Sequence, residues 1–212
     1  MTEFLNYTPA ALVALTSFAF VSSITPGPNN LMLLHSGARF GFRPTFPHLM
    51  GVNLGFGLML LLCCLGVAAV ILAVPATQLA LKVLGCAYML WLAYKLWKNG
   101  ALPVDGHLPE AKNSRAARPF TFTQAALFQY VNPKAWMMGL SVPATFLPHT
   151  GTQWLNASVA STLFVVINFF CLLVWVQGGV VLQKLMHRPD WARVINWVIV
   201  VLTLYCAVSV WL

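Results

Sequence analysis

Two proline breaks inside long apolar runs limit what this chain can become more than any other feature does. Thr25-Pro26-Gly27-Pro28-Asn29-Asn30 interrupts a run near the start, and Asn132-Pro133-Lys134 interrupts another in the second half. Half of the 212-residue chain separates Pro26 from Asn132. Proline removes a helix donor and clashes with the preceding turn, so each site should interrupt a helix. Inside a bilayer, the backbone groups so released are tolerated only when buried in protein or facing a wet cavity. Matching interruptions in two halves of a membrane chain point to a solute site near the midplane.

Composition sets the class. Hydrophobic residues make up 59% of the chain and charged residues 8%, against roughly 25% charged in a soluble domain. Six apolar runs are long enough to cross ~30 Å of hydrocarbon: residues 9–38, 46–74, 76–95, 120–147, 153–182 and 191–212. The expected fold is an all-α membrane protein, a single transmembrane domain over 1–212 whose helices 1 and 4 are broken. Glu3 stands where a secretory signal would carry a basic residue, so the first run is expected to be retained.

Basic residues orient the chain. Arg39 and Arg43 follow run one. Lys95, Lys98, Lys112, Arg115 and Arg118 flank or occupy the central linker, and Lys184, Arg188 and Arg193 surround the last polar loop. Every other Lys or Arg is one of two, Lys82 and Lys134, both inside runs. The positive-inside bias then places these loops in the cytoplasm and both termini outside, in the cytoplasmic (inner) membrane. Splitting at the linker gives repeat one over 1–98, the linker 99–118 and repeat two over 119–212. Three spans are an odd number, so the second repeat enters the bilayer from the opposite side and the two are inverted. Trp97, Trp154, Trp191 and Trp211 fall near run ends, where amphipathic rings suit the interface. The formal charge of +8 is explained by these loops, and with no basic face interleaved with aromatics, nucleic acid is not an expected partner.

The breaks carry the chemistry. Helix one should stop near Thr25, since a residue before proline avoids the α region. Gly27 is expected to supply a turn that side-chain-bearing residues resist, and Pro28 to open the next half-helix. The N–H groups beside Asn29 and Asn30 would suit a carboxylate. The carbonyls ending the first half-helix would suit an ammonium, and together they match a zwitterion. The competing reading is a kink that only shapes packing. Lys134 at mid-bilayer costs ~2.5–3.5 kcal/mol on insertion scales. It is read either as a partner for substrate carboxylate or as a structural lysine capping broken-helix carbonyls. The substrate-binding set is therefore Pro26, Gly27, Pro28, Asn29, Asn30, Asn132, Pro133 and Lys134, with Asn53, Lys82, Gln129 and Asn168 as candidate cavity-lining residues. Lys82 is also read as snorkelling to the outer interface, and Asn53, Gln129, Asn168 and Gln177 as interhelical hydrogen-bond glue.

Other polar or small residues have plainer readings. Gly37, Gly41, Gly51, Gly55 and Gly57 are expected to be packing faces. His35 and His48 are read as interfacial histidines or proton carriers. Cys63, Cys64, Cys86, Cys171 and Cys206 lie in apolar runs without a Cys-x-x-Cys pair, and are read as small hydrophobes. No metal or cofactor is expected.

At these residues the chain resembles the LysE/RhtB family of amino-acid exporters. The match comprises Pro26-Gly27-Pro28, then Gly37, Gly41, Gly51 and Gly55, the segment from Lys82 through Gly85 and Tyr88, and Asn132-Pro133-Lys134. It covers essentially the whole chain. Thr25 to Asn30 and Tyr205-Cys206-Ala207-Val208 look most like the cysteine and O-acetylserine exporter subgroup, although Asn-Pro-Lys departs from its sequence. The resemblance implies export of amino acids or derivatives driven by the proton gradient. Partners would be a small amino acid, membrane lipid and, as an open alternative, a second copy of the chain. A passive channel is the second class of function. A membrane enzyme is the third, and the chain carries no His-Glu-x-x-His, no Gly-x-Ser-x-Gly and no aspartate pair within a run.

Overall fold

The computed structural model describes residues 7–99, 118–148, 150–185 and 189–209. Residues 100–117 are outside that set, and the central linker proposed for 99–118 is with them. The described residues contain helices and no strand. In order they are α1 (Pro9–Ile24), α2 (Pro28–Phe40), α3 (Phe42–Leu62), α4 (Ala68–Ala73), α5 (Pro75–Asn99), α6 (Phe122–Phe128), α7 (Pro133–Thr145), α8 (Gln153–Leu185) and α9 (Pro189–Ser209). A π-helical turn, Cys63–Val67, joins α3 to α4, and a 3-10 turn, Gln129–Val131, follows α6.

Two helical stretches, Phe42–Ala73 and Gln153–Gln183, are long and apolar enough to cross a membrane, and α1 with α2 makes a third if that pair, bent by 52°, counts as one crossing. Their outward faces stay apolar: Val13, Phe20, Val166, Phe170 and Val174 are all more than half exposed. Contiguous bare apolar surface on this scale is a membrane-facing surface. Trp97 and Trp154 are exposed in the end turns of α5 and α8; the side chain of Trp191 and all of Trp211 lie outside the described residues.

Helix starts follow local chemistry. Thr8 caps α1 by accepting from Ala11 N at 3.1 Å. Thr121 and Gln124 form a reciprocal capping box at α6, which satisfies two orphan donors at once. Pro28 and Pro133 each stand first in their helices, where a missing N–H costs nothing.

The core is built on α8, which packs against α1, α2 and α3. One cluster gathers Leu15, Phe56, Met59, Val142 and Phe164. Another gathers Leu33, Leu49, Val52, Leu172 and Val176. Glycines set the closest approaches. A Cβ on Gly37 would run into the Val176 backbone, and one on Gly51 would run into Phe122 O. At Gly55 it would lie 2.6 Å from Ala126 Cα. Gly41 differs from the packing reading: nothing lies within 4 Å of its Cβ position, and its φ of 79° makes it the joint between α2 and α3. Left-handed backbone of this kind is readily accepted only by glycine. α5 and α9 pair with one another around Met89 and Ala207.

Candidate functional site

An α-helix ends with four carbonyls that have no intrahelical partner, and buried carbonyls must be satisfied. The end of α1 shows how this chain meets the demand. Val21 O accepts from Thr25 N at 3.1 Å, and Ser22 O accepts from Thr25 Oγ1 at 3.1 Å. Asn30 Nδ2 donates to Ser23 O and to Thr25 O, both at 2.8 Å. Trp175 Nε1, from α8, donates to Ile24 O at 3.2 Å. Lys134 Nζ, from the first turn of α7, donates to Thr25 O at 2.7 Å, Thr25 Oγ1 at 2.9 Å and Pro26 O at 3.2 Å. The negative end of the helix dipole thus faces an ammonium.

Gly27 lets that ammonium in. Its φ of −170° and ψ of 173° are extended backbone that any residue adopts, so the expected turn is not why glycine stands there. A Cβ at Gly27 would lie 2.7 Å from Lys134 Cδ and 3.2 Å from Nζ. The missing side chain is the channel for the lysine stem.

The second interruption lies slightly upstream of its expected place. α6 stops at Phe128, the 3-10 turn carries Gln129–Val131, and Asn132 is extended. Lys134 is therefore helical rather than part of the break. Asn132 Oδ1 accepts from Lys134 N at 3.1 Å and caps α7. Gln129, fully buried, reaches across to the first interruption. Asn29 Nδ2 donates to Gln129 Oε1 at 2.7 Å, and Gln129 Nε2 donates back to Asn29 Oδ1 at 3.3 Å and to Ala125 O at 2.9 Å. Pro133 packs against Gly85 of α5, where a Cβ would come within 2.5 Å of its ring.

Between the interruptions lies a small cavity of about 30 Å³, above the roughly 10–15 Å³ that one water needs. Gly27, Asn29, Asn30, Gln129, Asn132 and Lys134 all line it, with Pro28 and Asn168. No side chain caps the α2 N-terminus among the described residues. Lys134, Ser22, Pro28 and Met138 also border a second, larger and more apolar space of about 550 Å³, reached by Met89 of α5 and Leu202 and Tyr205 of α9.

The remaining candidates fall elsewhere. Asn168 Nδ2 donates to Asn53 Oδ1 at 2.9 Å, so Asn53 is a hydrogen-bond partner behind the cavity wall. Lys82 is exposed on α5 and lines neither cavity. His48 is buried with its ring 5.3 Å from that of Phe120, and neither it nor His35 lines these spaces. Sequence reasoning missed Trp175 and Ser23. For Trp175 a signal existed: a tryptophan inside an apolar run needs a partner for its N–H.

A profile of LysE type translocators matches residues 20–212. The chain is a LysE type translocator. The cysteine/O-acetylserine efflux protein of Escherichia coli strain K12 is 32% identical over 206 residues, covering 96% of this chain and 98% of that one. The protein of the same description from Shigella sonnei strain Ss046 is also 32% identical over the same coverage, and that of E. coli O1:K1 / APEC is 31% identical. No solved structure matches. The translocator is thus a membrane-embedded transporter and not an enzyme. Among the described residues no group of His, Cys, Asp and Glu is arranged to hold a metal ion.

Proposed function

We propose that this translocator exports small amino acids or their derivatives, of the cysteine and O-acetylserine kind, across the cytoplasmic membrane as a secondary active carrier coupled to proton antiport. Its six crossings would form two inverted three-helix repeats with both termini outside. α5 and α9, with 25 and 21 residues, are long enough at ~1.5 Å per residue to add two crossings, and α6 with α7 would make the sixth. The solute would sit between Pro26–Asn30 and Asn132–Lys134. Its carboxylate would meet the uncapped N-terminus of α2, its ammonium the carbonyl end of α1, with Asn29, Asn30 and Gln129 as hydrogen-bonding neighbours.

The observation that carries this reading is the contact of Lys134 Nζ with Thr25 and Pro26. Residues separated by half the chain meet there in polar surroundings, where half-helix ends can bind a zwitterion. The names of the efflux-protein relatives support this substrate class. Lys134 is the group that could carry the exchanged proton, since Asp and Glu are absent from the predicted spans.

Counterflow in proteoliposomes, with a panel of amino acids at two pH values, tests the proposal. Saturable exchange of cysteine or O-acetylserine is expected, and failure of every amino acid would overturn it. Coupling is tested with Lys134→Met: if proton-coupled export survives that change, the antiport scheme is wrong. A passive channel would neither saturate nor respond to an uncoupler.

A further inference from the structure

We infer that Lys134 occupies the seat of the substrate's own ammonium, as an internal surrogate that each solute must displace. The inference rests on the proposed amino-acid export. An –NH₃⁺ group has three N–H bonds, and the structure supplies three acceptors within 3.2 Å of Nζ: Thr25 O, Thr25 Oγ1 and Pro26 O. Two are carbonyls released by the proline break and the third is a hydroxyl beside them. The stem reaches this place only because Gly27 has no Cβ. With the lysine in place the cavity between the interruptions measures about 30 Å³, and its ammonium and a solute's cannot share the same three acceptors. Lys134 also borders the larger space of about 550 Å³ on its other side, which gives the displaced stem somewhere to go.

The seat accepts a primary ammonium and disfavours amines without three N–H bonds. Once displaced, Lys134 loses the three acceptors that favour its charged form, which is the step at which the exchanged proton can leave. Arrival of substrate and release of the lysine are one event, which links loading to rearrangement of the two interruptions.

Methylammonium is the probe, with tetramethylammonium, which has no N–H, as the control. In detergent-solubilised Lys134→Ala protein, saturating methylammonium should raise the melting temperature by about 3 °C, as a ligand bound to the folded state does. Wild-type protein and the tetramethylammonium control should show no such rise. Gly27→Ala provides a second variant, because its Cβ evicts the stem while keeping the lysine; it should respond as Lys134→Ala does. Should Lys134→Ala fail to fold, Gly27→Ala carries the test alone. Equal responses of folded variant and wild type would overturn the inference. Cysteine counterflow by the wild type, run in parallel, separates the two failures: its loss refutes the export reading, whereas its presence with an unresponsive variant refutes only the seat.

Discussion

The two helix interruptions solve the same problem in opposite ways. At the second, local devices suffice. The 3-10 turn bridges α6 to Asn132, whose N–H donates to Gln129 O at 3.2 Å, and the same residue caps α7. Trp136 Nε1 reaches back to Tyr130 O at 2.9 Å. At the first, the carbonyls of Ser23, Ile24, Thr25 and Pro26 depend on donors brought from α2, α7 and α8. One interruption is a self-contained platform that extends a donor; the other is an acceptor cluster completed by tertiary contacts. Chemistry that must change on loading belongs on the second kind of structure, since tertiary contacts can be exchanged while a local cap holds.

Substrate analogues give the largest expected difference. N-acetylserine replaces the ammonium that O-acetylserine keeps with an uncharged amide bearing one N–H, and a site built to receive three N–H bonds rejects such an analogue by large factors. It should compete in counterflow at least about 100-fold more weakly than O-acetylserine. Equal competition would remove the acceptor role from the first interruption.

Gly27→Leu comes next. Its side chain would overlap the Lys134 stem, and overpacking of about 1–3 kcal/mol should lower counterflow by roughly 5- to 150-fold. Counterflow within a factor of about two of wild type would show that the stem's path is not needed.

Capping residues sharpen the contrast between the interruptions. Asn30→Leu strands Ser23 O in a buried place and should cost about 1–3 kcal/mol. Asn132→Ala removes a local cap worth about 1 kcal/mol. Denaturation of both in one detergent should rank Asn30→Leu as the more harmful. The reverse order would break the comparison.

The smallest effect is expected at the bridge between them. A double-mutant cycle on Asn29 and Gln129, each changed to leucine, should give a coupling of about 0.6 kcal/mol and not more than ~1.7. A coupling near zero would mean that the amide pair closes no gap between the halves.

Proline made much of this readable in advance. A missing N–H is a property of the residue itself, so Pro28 could be placed at a helix start and a break expected at Asn132–Lys134 without tertiary knowledge, although Pro133 proves to begin a helix. Small-residue spacing likewise pointed to close helix contacts, which Gly37 and Gly51 make. What stayed hidden depends on partners distant in sequence. The reason for Gly27 is a lysine stem from α7, and Gln129 finds Asn29 from 100 residues away. Gly41 shared a packing motif's spacing yet serves as a joint. The π-helical turn at Cys63–Val67, with Gly66 at φ 127°, had no proline to announce it.

Under the proposed function, an amino acid must first displace the lysine ammonium from the carbonyls of the first interruption, and that reorganisation would be subtracted from its binding energy. Apparent affinity falls in proportion to how rarely the receptive conformation is visited. If the export proposal holds, a carrier built this way would respond most to high solute levels, because its own lysine competes for the seat.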